Sequence, residues 1–133
     1  GWFAGAFLVM LSFAAGMIAI SAIPAAEAAT ATLDQQFTQT VRPFVAQYCV
    51  TCHGGATPAA QLDLKSYATT DAVVNGYSRW AMVLEKLTAK EMPPKAMPQP
   101  PDSARQQVID WIHAVRARRE RTRAIQDPCR RAD

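Results

Sequence analysis

The chain has 133 residues, half of them hydrophobic, and carries 14 basic against 11 acidic side chains. This length leaves room for one small domain plus short extra segments and excludes a large multidomain arrangement within these residues. The basic surplus lies in residues 105–133, which hold eight arginines against four acidic residues. The rest of the chain is close to neutral and offers no strong electrostatic attraction to a charged partner.

The first 28 residues predict an export segment. Residues 2–23 are almost wholly apolar, and the sequence AEA at residues 26–28 is typical of a signal-peptide cleavage site, with residues 29–31 as a second choice. The run is also long enough to span a bilayer, so an uncleaved membrane anchor stays open. The chain begins at Gly1 without a basic n-region, and we expect the native N-terminus to lie further upstream. Both interpretations place the rest outside the cytoplasm, free in the periplasm or anchored facing it.

A helix is predicted from Thr32 to the first cysteine. The residues from Thr32 to Gln35 match a capping box, which favours a helix start there. Pro43 predicts a kink or a restart within the helix. The apolar side chains recur at spacings of three and four, which predicts one buried face: Phe37, Val41, Phe44, Val45 and Tyr48.

Residues 49–53 read CVTCH, which is the attachment pattern of a c-type haem. Thiols on one turn, at Cys49 and Cys52, can each add to a vinyl group on the same porphyrin edge, and the imidazole of His53 then serves as the proximal ligand. A haem iron held in this way commonly takes a methionine from far along the chain as its second axial ligand. A zinc half-site is a weaker interpretation, because His113 and Cys129 form no second ligand pair. A thioredoxin-like dithiol is weaker because the sequence lacks a βαβ pattern around the motif, and a plain disulfide is a further weak alternative.

Three further helices are predicted downstream. The first begins at Thr70 and stops at Asn75, and the second begins at Ser78 and leaves Met82 off its apolar face. The last begins at Asp102 or Ser103, with Gln106 completing a capping box. The predicted buried residues are Trp80, Val83, Leu84 and Leu87 on the second helix and Val108, Trp111, Ile112 and Val115 on the last.

The loop between the last two helices is rich in proline. Five prolines in the nine residues 93–101 exclude a helix and leave the loop little entropy to lose. Met92 directly follows the helix and precedes two prolines, so we predict it as the distal ligand. Met97 is the alternative, and His113, which falls off the buried face of the last helix, is a weaker one. A rigid linker whose methionines only pack is the other interpretation of this loop.

The order of these features resembles a class I cytochrome c. More narrowly, the sequence resembles the planctomycete-type cytochrome c domain over about residues 34–116. The resemblance implies an all-α fold of about four helices around one covalent haem c. It also implies that Cys49 and Cys52 hold the haem, with His53 and Met92 as axial ligands. The segments that carry it are residues 44–53, Leu62–Leu64, Trp80, Lys86–Leu87, Glu91–Pro94 and Trp111–Ile112.

The predicted organisation is an export segment or anchor at 1–28, a cytochrome c-like domain at 32–116, and an arginine-rich tail or linker at 117–133. The resemblance implies a larger exported protein that continues beyond Asp133. We predict one-electron transfer to an undefined redox partner protein, with no enzyme activity of the domain alone and no nucleic-acid partner. Two alternatives stay open: an open or labile distal site, peroxidase-like or gas-sensing, with His113 as its polar group, and a haem-stabilised structural module.

Overall fold

The structure, a computed structural model, describes residues 32–127. The predicted export segment and the end of the predicted tail, which contains Cys129, lie outside the described residues. Within residues 32–127 every regular element is a helix and no strand is present, so the predicted all-α class is confirmed. No helix in this range is long and apolar enough to cross a membrane.

The N-terminal helix is continuous but irregular. Residues 32–36 are α-helical, Phe37–Val41 forms a π-helical segment, and helix α1 follows at Arg42–Tyr48. Pro43 occupies the first turn of α1, where its missing N–H is tolerated, and the irregular segment lies just before it. At the predicted kink or restart, the structure shows a change from π-helical to α-helical hydrogen bonding within a helical backbone that continues through Val41 and Arg42.

Short elements connect α1 to the C-terminal half. Two single 3₁₀ turns, Ala59–Gln61 and Leu64–Ser66, precede helix α2 at Thr70–Asn75 and helix α3 at Tyr77–Thr88. Helix α4 spans Asp102–Gln126 and packs against α2, α3 and the π-helical segment. Helices α2, α3 and α4 begin within one residue of their predicted starts at Thr70, Ser78 and Asp102.

The core lies between the N-terminal helix, α3 and α4, and an aromatic chain runs through it. The ring of Trp111 lies 5.5 Å from Phe37 and 5.9 Å from Trp80, and Trp80 lies 5.8 Å from Tyr67. Such tilted and edge-on pairs add to the apolar burial of the rings. Most of the predicted core residues are buried, and Val45, Tyr48, Val83 and Leu84 are partly buried at its margin.

The start of α4 differs from the predicted capping box. No side chain caps this helix, whose first residue follows the extended backbone of Pro101. The Gln106 amide instead donates to Asp110, and the Asp102 carboxylate pairs with Lys90 at 2.9 Å. The prediction was wrong because prolines hold the entry to the helix, and the polar side chains found partners along or across helices.

Helix α4 continues past residue 116 to Gln126. Arg118 pairs with Asp71 of α2 at 2.7 Å, and the guanidinium of Arg119 lies 5.4 Å from the ring centre of Tyr77. The first part of the predicted tail is therefore a helix that contacts α2 and α3, whereas the side chains of residues 120–127 are exposed.

Candidate functional site

A tight turn after α1 brings Cys49, Cys52 and His53 together. The N–H groups of Cys49 and Val50 both donate to the carbonyl of Val45, at 3.0 Å each. The N–H groups of Cys52 and His53 then both donate to the carbonyl of Cys49, at 3.2 and 2.9 Å. The two cysteines and the histidine therefore lie in one hydrogen-bonded turn directly after α1.

The imidazole of His53 is oriented by a backbone carbonyl. Its Nδ1 lies 3.0 Å from the carbonyl oxygen of Ala59, and the carbonyl of His53 accepts a 2.7 Å hydrogen bond from the N–H of Leu64. Donation to the Ala59 carbonyl requires the tautomer with hydrogen on Nδ1, which leaves the lone pair of Nε2 free for a metal. The contact therefore favours His53 as a candidate ligand through Nε2, and its role as an axial ligand stays a prediction.

Only one of the two glycines that follow is required by packing. A Cβ on Gly54 would lie 2.8 Å from Val50 Cγ1 and 3.0 Å from the Val50 carbonyl oxygen, whereas a Cβ on Gly55 would meet nothing within 4 Å. The chain passes back over its own turn at Gly54. The structure thus locates the close approach at the first of the two glycines.

The two thiols have different surroundings. Cys52 is exposed, whereas Cys49 is partly buried, and burial raises the pKa of the Cys49 thiol to about 11. The positive charge of Arg105 acts in the opposite direction on this pKa. Burial is the larger of these two influences on the pKa of Cys49.

The loop with the two methionines is anchored to the same arginine. Arg105 Nη1 donates to the Met92 carbonyl at 2.6 Å, and Nη2 donates to Gln99 Oε1 at 3.1 Å. Met92 and Met97 are 38% and 39% exposed, so burial does not separate the two candidates, and Met92 as the distal ligand stays a prediction.

The sequence analysis missed Arg105. A signal for it exists, because Arg105 stands three residues before Val108 on the stripe that continues to Ile112 and Val115. A charged residue in register with a buried stripe indicates either a break in the stripe or a buried charge with partners. The structure shows the second case, with Arg105 only 4% exposed.

The remaining candidates lie apart from the turn. His113 is exposed on α4, as its position off the stripe predicted. No group of three or more His, Cys, Asp or Glu side chains comes together among residues 32–127. A cleft of about 210 Å³ adjoins the turn at Val50 and has Trp80 and Tyr67 in its wall, but none of the predicted site residues lines it.

Two thiols and a carbonyl-oriented imidazole in one turn fit haem c, and an all-α domain built around such a turn is that of a small c-type cytochrome. Residues 49–96 match the family model described as Planctomycete cytochrome C, and this match supports a planctomycete-type cytochrome c domain in that part of the chain. At the level of the family, the match supports haem-based electron transfer. No curated protein and no solved structure matches the chain.

Proposed function

We propose that this domain transfers single electrons through one haem c attached covalently to Cys49 and Cys52, with His53 and Met92 as axial ligands. The observation that carries the proposal is the 3.0 Å contact between His53 Nδ1 and the Ala59 carbonyl. It fixes the ring within the turn that holds both thiols and leaves Nε2 as the available donor.

The haem, when bound, supplies the one-electron couple of its iron. The chain's own contribution is to orient the ligands. The Ala59 carbonyl sets the tautomer of His53 and increases the basicity of its Nε2. The hydrogen bond from Arg105 holds the backbone of Met92 against helix α4. With an imidazole and a thioether both supplied by the protein, no axial position is left for a substrate, which favours electron transfer over catalysis.

The proposed compartment lies outside the cytoplasm, either periplasmic or anchored facing the periplasm. Its support is the apolar segment 1–28 together with the attachment chemistry of the CVTCH motif, which is carried out after export. We further propose that the domain exchanges electrons with a partner protein and forms part of a larger polypeptide, as the family resemblance implies.

The first test is a visible spectrum of the protein produced with a c-type haem maturation system. Haem that resists extraction, sharp bands in the reduced state and a weak far-red band in the oxidised state are expected for covalent attachment with His/Met ligation. Met92→Ala should abolish the far-red band, and Met97→Ala, the matched control, should keep it. The reverse pattern would make Met97 the ligand.

The two histidines of the chain provide a second matched pair. His53→Ala should abolish stable haem incorporation, whereas His113→Ala should leave the spectrum unchanged. Covalent haem without the far-red band in the unmodified protein would favour an open or bis-histidine site. No haem despite an active maturation system would refute the proposal.

Electron exchange separates the proposal from a purely structural role for the haem. We expect a reversible potential in a redox titration and rapid reduction by a small-molecule donor. A haem that is bound but exchanges electrons with neither an electrode nor a donor would identify a structural module.

A further inference from the structure

Arg105 is a buried cation on a helix that otherwise buries apolar side chains. It lies in the first turn of α4, where its N–H donates to the Pro101 carbonyl at 3.0 Å, and the residue is 4% exposed. Burying a guanidinium is unfavourable unless hydrogen bonds replace its hydration. The partners of Arg105 therefore indicate what its burial serves.

The guanidinium of Arg105 donates its hydrogen bonds to the proline-rich loop that contains Met92 and Met97. Nη1 donates to the Met92 carbonyl at 2.6 Å, and Nη2 donates to Gln99 Oε1 at 3.1 Å. The ion pairs formed within residues 32–127 do not include Arg105. Its charge is used for charge-assisted hydrogen bonds to the loop and not for a carboxylate contact.

Gln99 extends this anchor along the loop. Its Nε2 lies 3.1 Å from the Pro93 carbonyl, 2.9 Å from the Pro94 carbonyl and 3.0 Å from the Met97 carbonyl. Together the two side chains reach four backbone carbonyls, and two of these belong to Met92 and Met97.

The composition of the loop explains why side chains are needed for this purpose. Proline has no backbone N–H, so a segment with five prolines in nine residues has few donors for its own carbonyls. Its internal backbone hydrogen bond runs from the Met97 N–H to the Pro94 carbonyl at 2.8 Å. Arg105 and Gln99 supply donors that the loop backbone lacks.

We propose that Arg105, with Gln99 as its relay, is the positioning residue of the distal-ligand loop and determines how easily the methionine ligand is displaced from the haem iron. The proposal rests on the proposed function, since it requires a methionine ligand from this loop. It assigns the arginine no contact with the iron, because Arg105 and Gln99 act through the backbone carbonyls of Met92 and of residues that follow it.

The test uses the haem-loaded protein and a ligand that competes with methionine. Imidazole is titrated against the ferric protein, and loss of the far-red band reports displacement. Arg105→Gln should raise the apparent affinity for imidazole roughly tenfold or more, which corresponds to the loss of one hydrogen bond to a charged group. The imidazole affinity of Arg105→Lys should lie between those of the unmodified protein and Arg105→Gln, because an ammonium cannot bridge Met92 and Gln99 as a planar guanidinium does.

Gln99→Ala provides a second variant in an exposed loop position, so folding of the domain does not depend on it. It should also raise imidazole affinity, by less than Arg105→Gln. The matched controls are Arg121→Gln on the exposed part of α4 and Gln106→Ala beside Arg105, and both should bind imidazole like the unmodified protein.

Global unfolding, followed by far-UV circular dichroism, separates positioning from general stabilisation. Unchanged imidazole affinity in Arg105→Gln, with or without a loss of global stability, would overturn the proposal. If that variant does not fold, Gln99→Ala decides: increased affinity supports the proposal and unchanged affinity overturns it. An unmodified protein without the far-red band would overturn both this proposal and the methionine ligation, whereas a normal band with unaltered variants would overturn this proposal alone.

Discussion

The indole nitrogen of Trp111 donates a 3.0 Å hydrogen bond to the backbone carbonyl of Leu33, a residue 78 positions earlier in the chain. Both residues are buried, and the same indole packs against Phe37 on the N-terminal helix. This contact joins the start of the N-terminal helix, which leads into the turn that holds the cysteines, to the middle of α4. It ties the helix that leads into that turn to the helix that carries Arg105.

Trp111→Phe tests this contact against Trp80→Phe. Both indoles are almost fully buried, but the Trp80 nitrogen has no hydrogen-bond partner among the described residues. Each substitution removes similar volume, whereas only the first removes a hydrogen bond. We expect Trp111→Phe to lower the free energy of unfolding by about 1 kcal/mol more than Trp80→Phe. Denaturant unfolding of the haem-loaded proteins measures this, and equal losses would contradict it.

Gly54→Ala and Gly55→Ala test the close approach at the attachment turn. The added Cβ at Gly54 lies within 3.0 Å of the Val50 carbonyl, which is backbone and cannot rotate away. We expect a loss of roughly 1–3 kcal/mol in stability from this overpacking and a reduced yield of covalent haem. Gly55→Ala, with open space around its Cβ, should stay within about 0.5 kcal/mol of the unmodified protein. Indistinguishable yields and unfolding midpoints would show that the turn accommodates both methyl groups.

The arginines of α4 should divide into two groups. Arg118 and Arg119 contact Asp71 and Tyr77, whereas Arg121 and Arg123 are exposed. The double variant Arg118→Ala/Arg119→Ala should lose roughly 1–2 kcal/mol, the sum expected for one ion pair and one cation–π contact. Arg121→Ala/Arg123→Ala serves as the control and should lose almost nothing.

The ionic part of this difference should shrink in 1 M salt, where the screening length falls to about 3 Å. Equal stability of the two double variants in thermal unfolding would mean that the extension of α4 beyond residue 116 adds nothing to the domain.

The pH dependence of one surface contact follows from its geometry. Lys90 lies two residues after the end of α3 in a left-handed conformation with φ of 56°, and its ammonium donates to Asp102 at the start of α4. This hydrogen bond and the charge of Lys90 lower the pKa of Asp102 below its ordinary value of 3.8. A folded pKa below the unfolded one means that the stabilisation is present above the unfolded pKa. It is lost as pH falls through the folded pKa.

An NMR titration of the Asp102 carboxyl checks this assignment. Lys90→Met should raise the pKa of Asp102 towards its ordinary value, and Lys95→Met, which removes a lysine elsewhere in the loop, should leave it unchanged. Because both partners are exposed, the effect on unfolding should be small. A pKa that does not respond to Lys90→Met would show that the pair does not persist in solution.

Much of the site could be predicted because its signals are local in the chain. The motif at residues 49–53 needs only one turn of backbone to bring its side chains together, and the structure forms that turn. The helix starting near Ser78 and the last helix were predicted from residues three and four apart, which face the same side whatever packs against them. The prolines after Met92 likewise exclude a helix by their own covalent geometry.

The features that sequence reasoning could not predict all join residues that are distant in the chain. The register of Arg105 leaves a break in the stripe and a buried charge both open, and only the acceptors at Met92 and Gln99 in the structure decide for the buried charge. From the sequence, residues 117–126 were predicted as part of a tail or linker, whereas in the structure Asp71 of α2 pairs with Arg118 of this segment. Local spacing determined the helices and the attachment turn, because these follow from backbone geometry. Tertiary packing alone decided which charge is buried and which carbonyls it holds, because a polar group can be buried only where a distant segment supplies its partner.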